Sequence, residues 1–312
     1  MPGPYAHITL LYELMRPGRL KSIFSPLSGF DVALETYFSY CVLGAVSPDY
    51  PNLVRGNAAA AQWADAMHYT RACEMITSGI RCVRNTKEAA RNKQLAWLLG
   101  YCAHVATDVT IHPVVQVRVG LYAENQRQHR VCEMNQDSHI YHRMNLGEIG
   151  EADLYALAVT QCSTPGDRSC LDPDIASIWE GMLADVHPGL FATNPPDSSS
   201  WHREFVAIVD DCAAGPVRLF PLACVIAEKM GLTYPVFSAV DPTFIEEQTV
   251  PTERLLSLYY DDIFFQAIGN VMMIWRQVEQ AVFAEDSAPL PLFGDWNLDN
   301  GRDEHGRLVF WQ

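Results

Sequence analysis

Three residues able to bind a metal ion recur at four-residue spacing in Leu99-Gly-Tyr-Cys-Ala-His104-Val-Ala-Thr-Asp108-Val-Thr-Ile-His112-Pro113. On an α-helix each such step overshoots a full turn slightly, so His104, Asp108 and His112 project from one face within about 80° and climb about 12 Å. The flanking residues, Leu95 to Ala103 and Val114-Val115, are apolar, so the polar stripe faces an interior. Buried imidazole and carboxylate groups are costly unless they are paired or bound to metal. Further along, His129 and Glu133 repeat the i, i+4 spacing and Asp137 follows one turn later. Two helices with inward-facing His and carboxylate groups are a common way for a helical bundle to build a multinuclear site. Nitrogen and oxygen donors without thiolate suit zinc, with manganese and iron as alternatives. Neither an HExxH motif nor the paired ExxH motifs of a di-iron carboxylate site occur in the chain.

The elements that must carry these residues are helical. Apolar residues at three- and four-residue spacing predict helices over 31–44, 57–84, 88–119, 121–146, 151–160, 174–186, 200–212, 216–230 and 252–284, and strand-like alternation is scarce. Breaks fall at 47–51, 163–173, 188–199, 233–242 and 288–291, where Pro, Gly, Ser and Asn concentrate. The tail from Gly294 carries turn signals at Asp299-Asn-Gly301 and His305-Gly306 between short apolar pieces and predicts a short terminal hairpin. The fold class is therefore all-α. No internal repeat is present.

With 312 residues, 49% of them hydrophobic, the chain can bury a large core. Its formal net charge of −15 gives it no surface-wide attraction for a phosphate backbone, which excludes a general nucleic-acid coat protein and argues against stable nucleic-acid binding. It leaves a nucleic-acid enzyme with metals in its pocket open. Nine cysteines, odd in number and without a CxxC pair, read as buried thiols in a reducing compartment. There is no run of about eighteen apolar residues, so no bilayer-spanning helix is expected. The opening residues lack a basic stretch followed by an apolar one, which points to the cytoplasm. Export by a leaderless route is the alternative.

In this order and spacing the residues resemble the zinc-dependent phospholipase C family, whose helical fold is shared with the single-strand-specific zinc nucleases. The early His of that family has its counterpart in His7, and the Asp that follows a Gly-Ala-x-x-Pro type segment in Asp49 of Gly44-Ala-Val-Ser-Pro-Asp49. The middle His corresponds to His68, the central motif to His104, Asp108 and His112, and the closing HxxxE to His129 and Glu133. The central motif is also similar to that of glycosylphosphatidylinositol-specific phospholipase D. The resemblance implies two to three zinc ions: one held by Asp49, His68, His104 and Asp108, a second by His112, His129 and Glu133, and a third by His7 with Asp108 bridging. It implies a multi-helix phospholipase C or zinc nuclease-like bundle over roughly the first 145 residues. On this basis residues 1–146 form the metal-binding catalytic core, and residues 147–312 a mainly helical extension packed on it that shapes the substrate pocket.

Clustered zinc ions acidify a bound water, clamp phosphoryl oxygens and stabilise a leaving alkoxide, which suits phosphodiester hydrolysis. Asp49, preceded by Pro48, is the candidate for both metal ligand and general base. The function expected is a phospholipase C acting on phospholipid or at a membrane surface. A nuclease on the same fold, needing stacking aromatics beside the metals, and a non-catalytic metal-binding interaction module are the alternatives. Asp137 reads either as a partner orienting a ligand such as His129 or as a solvated helix charge. His139 and His142 read as outer-shell or surface groups, and His187, His202 and His305 carry no motif. Trp201, Phe205, Trp296 and Phe310 are candidates for acyl-chain contact, with core packing the more ordinary role of such residues. The oligomeric state is open.

Overall fold

A computed structural model describes residues 3–311, apart from 27, 151–153, 214–218, 253–255 and 284–292. The helices are α1 (Pro4–Leu14), α2 (Pro17–Ile23), α3 (Phe30–Thr36), α4 (Phe38–Val46), α5 (Ala58–Tyr69), α6 (Ala72–Asn85) and α7 (Glu88–Val119). They continue as α8 (Tyr122–Arg143), α9 (Leu154–Thr160), α10 (Pro173–Val186), α11 (Pro188–Thr193), α12 (Ser198–Ala213), α13 (Pro221–Met230) and α14 (Tyr260–Phe283). Two minimal antiparallel hairpins accompany them, β1 (Ser163–Thr164) with β2 (Asp167–Leu171), and β3 (Gln248–Thr249) with β4 (Ser257–Leu258). The architecture is all-α, and among the described residues no helix is long and apolar enough to cross a membrane.

Helix α7 is the axis of the molecule. Its most extensive neighbours are α4 and α14, and α3, α6, α8 and α10 also lie against it. The α4–α7 crossing depends on two glycines. A Cβ at Gly44 would stand 2.0 Å from the Trp97 carbonyl oxygen, and one at Gly100 would stand 2.0 Å from that of Cys41. Bare backbone therefore meets bare backbone. The Trp275 indole on α14 donates to the Leu99 carbonyl at 2.8 Å, tying a helix of the second half to the same axis. One continuous apolar cluster runs through both halves, from Tyr5 and Leu10 to Val271, Trp275 and Leu298.

Several elements depart from the periodicity of the sequence. Helices α1 and α2 lie outside the predicted set. Every α1 residue from Pro4 to Leu11 is buried, so no polar face marks its period. The stretch predicted as one helix over 57–84 is two, broken at Thr70 and at Arg71, whose φ is 54°. Asn57 caps the first of them by accepting from the Ala59 and Ala60 amides. The predicted helix over 31–44 likewise breaks at Tyr37. The tail makes isolated antiparallel bridges, Asn297 with Arg302 and Arg302 with Leu308, within a chain of turns. The predicted break at 288–291 lies outside the described residues.

Candidate metal centre

The ligand candidates reach one place from four elements. His7 comes from α1, Asp49 from the 3₁₀ segment Ser47–Leu53, His68 from the end of α5, and His104, Asp108 and His112 from the middle of α7. All six are buried. The 3₁₀ segment is locked on both sides of Asp49: the Trp97 indole donates to Ser47 Oγ at 2.9 Å, and the Tyr50 hydroxyl bonds His202 Nδ1 at 2.9 Å.

Main-chain carbonyls set the orientation of the rings. His104 Nδ1 bonds the Ala45 carbonyl at 2.9 Å, His68 Nδ1 the Ala64 carbonyl at 2.7 Å, and His112 Nδ1 the Leu298 carbonyl at 2.5 Å. A carbonyl only accepts, so each of these nitrogens carries a proton, and in the neutral ring Nε2 is left as a lone pair. The glycine crossing of α4 and α7 is what brings Ala45 within reach. His129 takes the opposite tautomer, donating from Nε2 to the Gly120 carbonyl at 2.7 Å.

The freed atoms converge. His104 Nε2 lies 3.3 Å from His68 Nε2 and 3.3 Å from Asp108 Oδ2, while His68 Nε2 lies 3.6 Å from Asp49 Oδ1 and 3.8 Å from Asp108 Oδ2. Two lone pairs facing each other at 3.3 Å repel unless a cation lies between them. The edge of a tetrahedron built on zinc–nitrogen bonds of about 2.0–2.1 Å is about 3.3–3.4 Å, so the spacing suits that ion. His7 Nε2 stands 3.2 Å from Asp108 Oδ1, and its ring stacks on that of His104 with centroids 4.4 Å apart. Two groups, His7–His104–Asp108 and Asp49–His68–His104, each offer ligand atoms within 4.8 Å of one another. Both nitrogens of His7, both oxygens of Asp108, Asp49 Oδ1, His112 Nε2 and His129 Nδ1 are buried without hydrogen-bond partners. Buried polar atoms are rarely left so in a native protein; others lie elsewhere in the chain, at Tyr101 and Trp179 for example, but these seven are all metal-binding nitrogen or carboxylate oxygen and come from neighbouring ligand candidates. The donors fit zinc.

Asp108 and the rings around it are electrostatically coupled. Burial opposes ionisation of Asp108, yet His104 and His112 beside it hold its carboxyl well below the usual range. Burial also lowers His7 and His68. It opposes a charge on His104 as well, but Asp108 prevails and raises that ring.

Residues 6–189 match the model of the family described as zinc-dependent phospholipase C. The chain belongs to the zinc-dependent phospholipase C family. The match continues past Gly147 to take in α9, the first hairpin and α10, beyond the motif-bearing region. No curated protein and no solved structure matches the chain. Membership brings zinc and, at the level of the family, phospholipase-type phosphodiester hydrolysis.

His112, His129 and Glu133 are less tightly gathered. His129 Nδ1 lies 3.9 Å from Glu133 Oε1, but the atoms of the three do not all fall within 4.8 Å of one another. Glu133 is held by the Arg130 guanidinium at 2.7 Å. Asp137 does not orient His129 and is not solvated. It is buried and accepts from the Ala6 amide at 2.7 Å and the Tyr234 hydroxyl at 3.1 Å, anchoring the start of α1. His139 pairs with Asp261, and His142 stacks on Phe237 with centroids 3.8 Å apart. Trp201, Phe205 and Trp296 are core residues.

Asp49 and His68 open onto a cleft of about 580 Å³. Asp65, Tyr69, Tyr122, Arg130 and Asp299 supply polar and aromatic wall, and Leu222, Val225, Ile226 and Met230 of α13 an apolar stretch. Motif reading missed Arg130 and the α13 wall. Arg130 directly follows His129 in the chain, but an arginine on a helix is ordinarily a surface charge.

Proposed function

We propose that the chain is a phospholipase C that cleaves glycerophospholipid to diacylglycerol and a phosphorylated head group. The observation that carries the reading is the convergence of ligand-type atoms of His7, Asp49, His68, His104 and Asp108 beside a cleft with an apolar wall. Asp49, His68, His104 and Asp108 would hold one zinc ion and His7 with Asp108 another, while His112, His129 and Glu133 supply the donors for a further one. Bound there, zinc acidifies water and neutralises charge building on the phosphoryl oxygens.

The chain's own residues do the rest. Asp49, with Oδ1 buried, unpaired and at the edge of the cleft, accepts the proton of the attacking water. As the water oxygen bonds to phosphorus the bond to the glycerol oxygen breaks, and that oxygen takes up a proton to leave as diacylglycerol. The apolar residues of α13 take the glyceride side of the substrate.

Tyr69 and Tyr122 on the same cleft are the observation that favours the second reading, a single-strand nuclease, because a base could stack on them. The test is turnover by the zinc-loaded full chain on dispersed phosphatidylcholine and on single-stranded DNA. Release of diacylglycerol with the DNA intact is expected, and Asp49→Asn should lower the rate by about 10²–10⁴-fold. Full zinc occupancy without hydrolysis of either substrate would sink the enzymatic reading.

A further inference from the structure

Arg130 is a buried guanidinium beside the metal centre, only 6% exposed, yet it lines the cleft that Asp49 and His68 enter. Its Nη1 donates to Glu133 Oε2 at 2.7 Å and its Nη2 to the Tyr122 hydroxyl at 3.0 Å, with the guanidinium carbon 5.4 Å from the Tyr122 ring centroid. A buried cation needs a compensating reason to be there. Glu133 and the Tyr122 hydroxyl hold it at the wall of the cleft. A cleft that presents this cation beside metal-ligand atoms suits an anionic occupant. The planar fork of an arginine matches two oxygens of a phosphoryl group better than an ammonium does. The location agrees, since the same cleft presents metal-ligand atoms and the guanidinium to one occupant.

We propose that Arg130 contacts the phosphoryl group directly, donating to its non-bridging oxygens from the wall of the cleft it shares with Asp49 and His68, the residues that would hold a metal ion. It is then a catalytic residue supplied by the protein beside the metals, stabilising charge that grows on those oxygens as the bond breaks. That the phosphoryl group belongs to a phosphodiester substrate rests on the hydrolase reading, whereas anion binding by Arg130 does not.

The experiment measures inorganic phosphate binding by calorimetry, and bound zinc by elemental analysis, on the zinc-reconstituted full chain, Arg130→Gln, Arg130→Lys and Glu133→Gln. Arg130→Gln should keep the wild-type zinc content and weaken phosphate binding by on the order of tenfold to a hundredfold, as loss of charge-assisted hydrogen bonds predicts. Arg130→Lys retains the charge without the fork and should fall between the two. It also answers the question if the glutamine variant does not fold. Phosphate affinity unchanged in the variant that folds overturns the proposal. So does loss of zinc matching that of Glu133→Gln, which would make Arg130 a positioning residue for Glu133. A wild type that hydrolyses no phosphodiester but binds phosphate through Arg130 would refute the hydrolase and leave the anion contact standing.

Discussion

His68, His104 and His112 each donate one ring N–H to a main-chain carbonyl, which turns Nε2 of His68 and His104 toward each other and leaves that of His112 without a partner. His104 belongs to both of the tight groupings. His104→Ala should therefore lose zinc by elemental analysis, whereas His139→Ala, removing a ring paired with Asp261, should retain all of it. Asp137 makes a different prediction. Burial pushes its carboxyl up to about 8, although the amides of Ala6 and Tyr5 and the Tyr234 hydroxyl pull the other way. The folded state thus holds a proton that an unfolded Asp releases near pH 4. Stability is full below about pH 4 and is lost progressively as pH rises toward 8. Asp137→Asn keeps an acceptor for the Ala6 amide and removes the titration, so its stability relative to wild type should improve between about pH 5 and pH 8 in urea denaturation. A gap independent of pH would show that the carboxyl is ionised throughout.

The α4–α7 crossing shows how an element can set the chemistry of a residue it does not contain. Gly44 and Gly100 let the two backbones touch, and that contact brings the Ala45 carbonyl to His104. Gly100→Ala would place a methyl 2.0 Å from the Cys41 carbonyl oxygen, forcing the helices apart. Overpacking of this kind costs about 1–3 kcal/mol. Loss of His104's fixed partner should also weaken zinc binding by about tenfold to a hundredfold. Denaturation midpoints and competition against a chromophoric chelator would read the two effects separately; a stability loss with unchanged zinc affinity would mean that the crossing does not position the ring.

Across the whole molecule the tail closes the site. The Leu298 amide donates to the His68 carbonyl, its carbonyl accepts from His112, and the Trp311 indole donates to the Thr110 carbonyl. One short stretch thereby spans α5 and α7 beside the ligands. Trp311→Ala should destabilise the protein by about 3 kcal/mol, in the range for a large buried ring, and should lower zinc affinity through His112. Zinc itself should stabilise the chain by mass action, about 4 kcal/mol per site at a free concentration a thousand times the dissociation constant. Thermal midpoints should climb with added zinc and collapse with chelator. A midpoint indifferent to both would mean that the cluster binds no ion.

Helical class and the stripe His104–Asp108–His112 were legible because both depend on a local quantity, the 3.6-residue turn, which assigns each side chain to a face whatever lies beyond it. The candidate ligand types could be named because their chemistry belongs to the residues themselves. The break at Arg71 was not, since neither Gly nor Pro marks it, and α1 was not, since a helix buried on every side has no polar face to reveal its period. Only tertiary structure decided that Leu298, 186 residues from His112, orients its ring, that Arg130, paired with Glu133, lines the cleft, and that α13 supplies the apolar wall. An amphipathic pattern states that a face will be buried, but the partner of that face is chosen by the packing of helices distant in the chain.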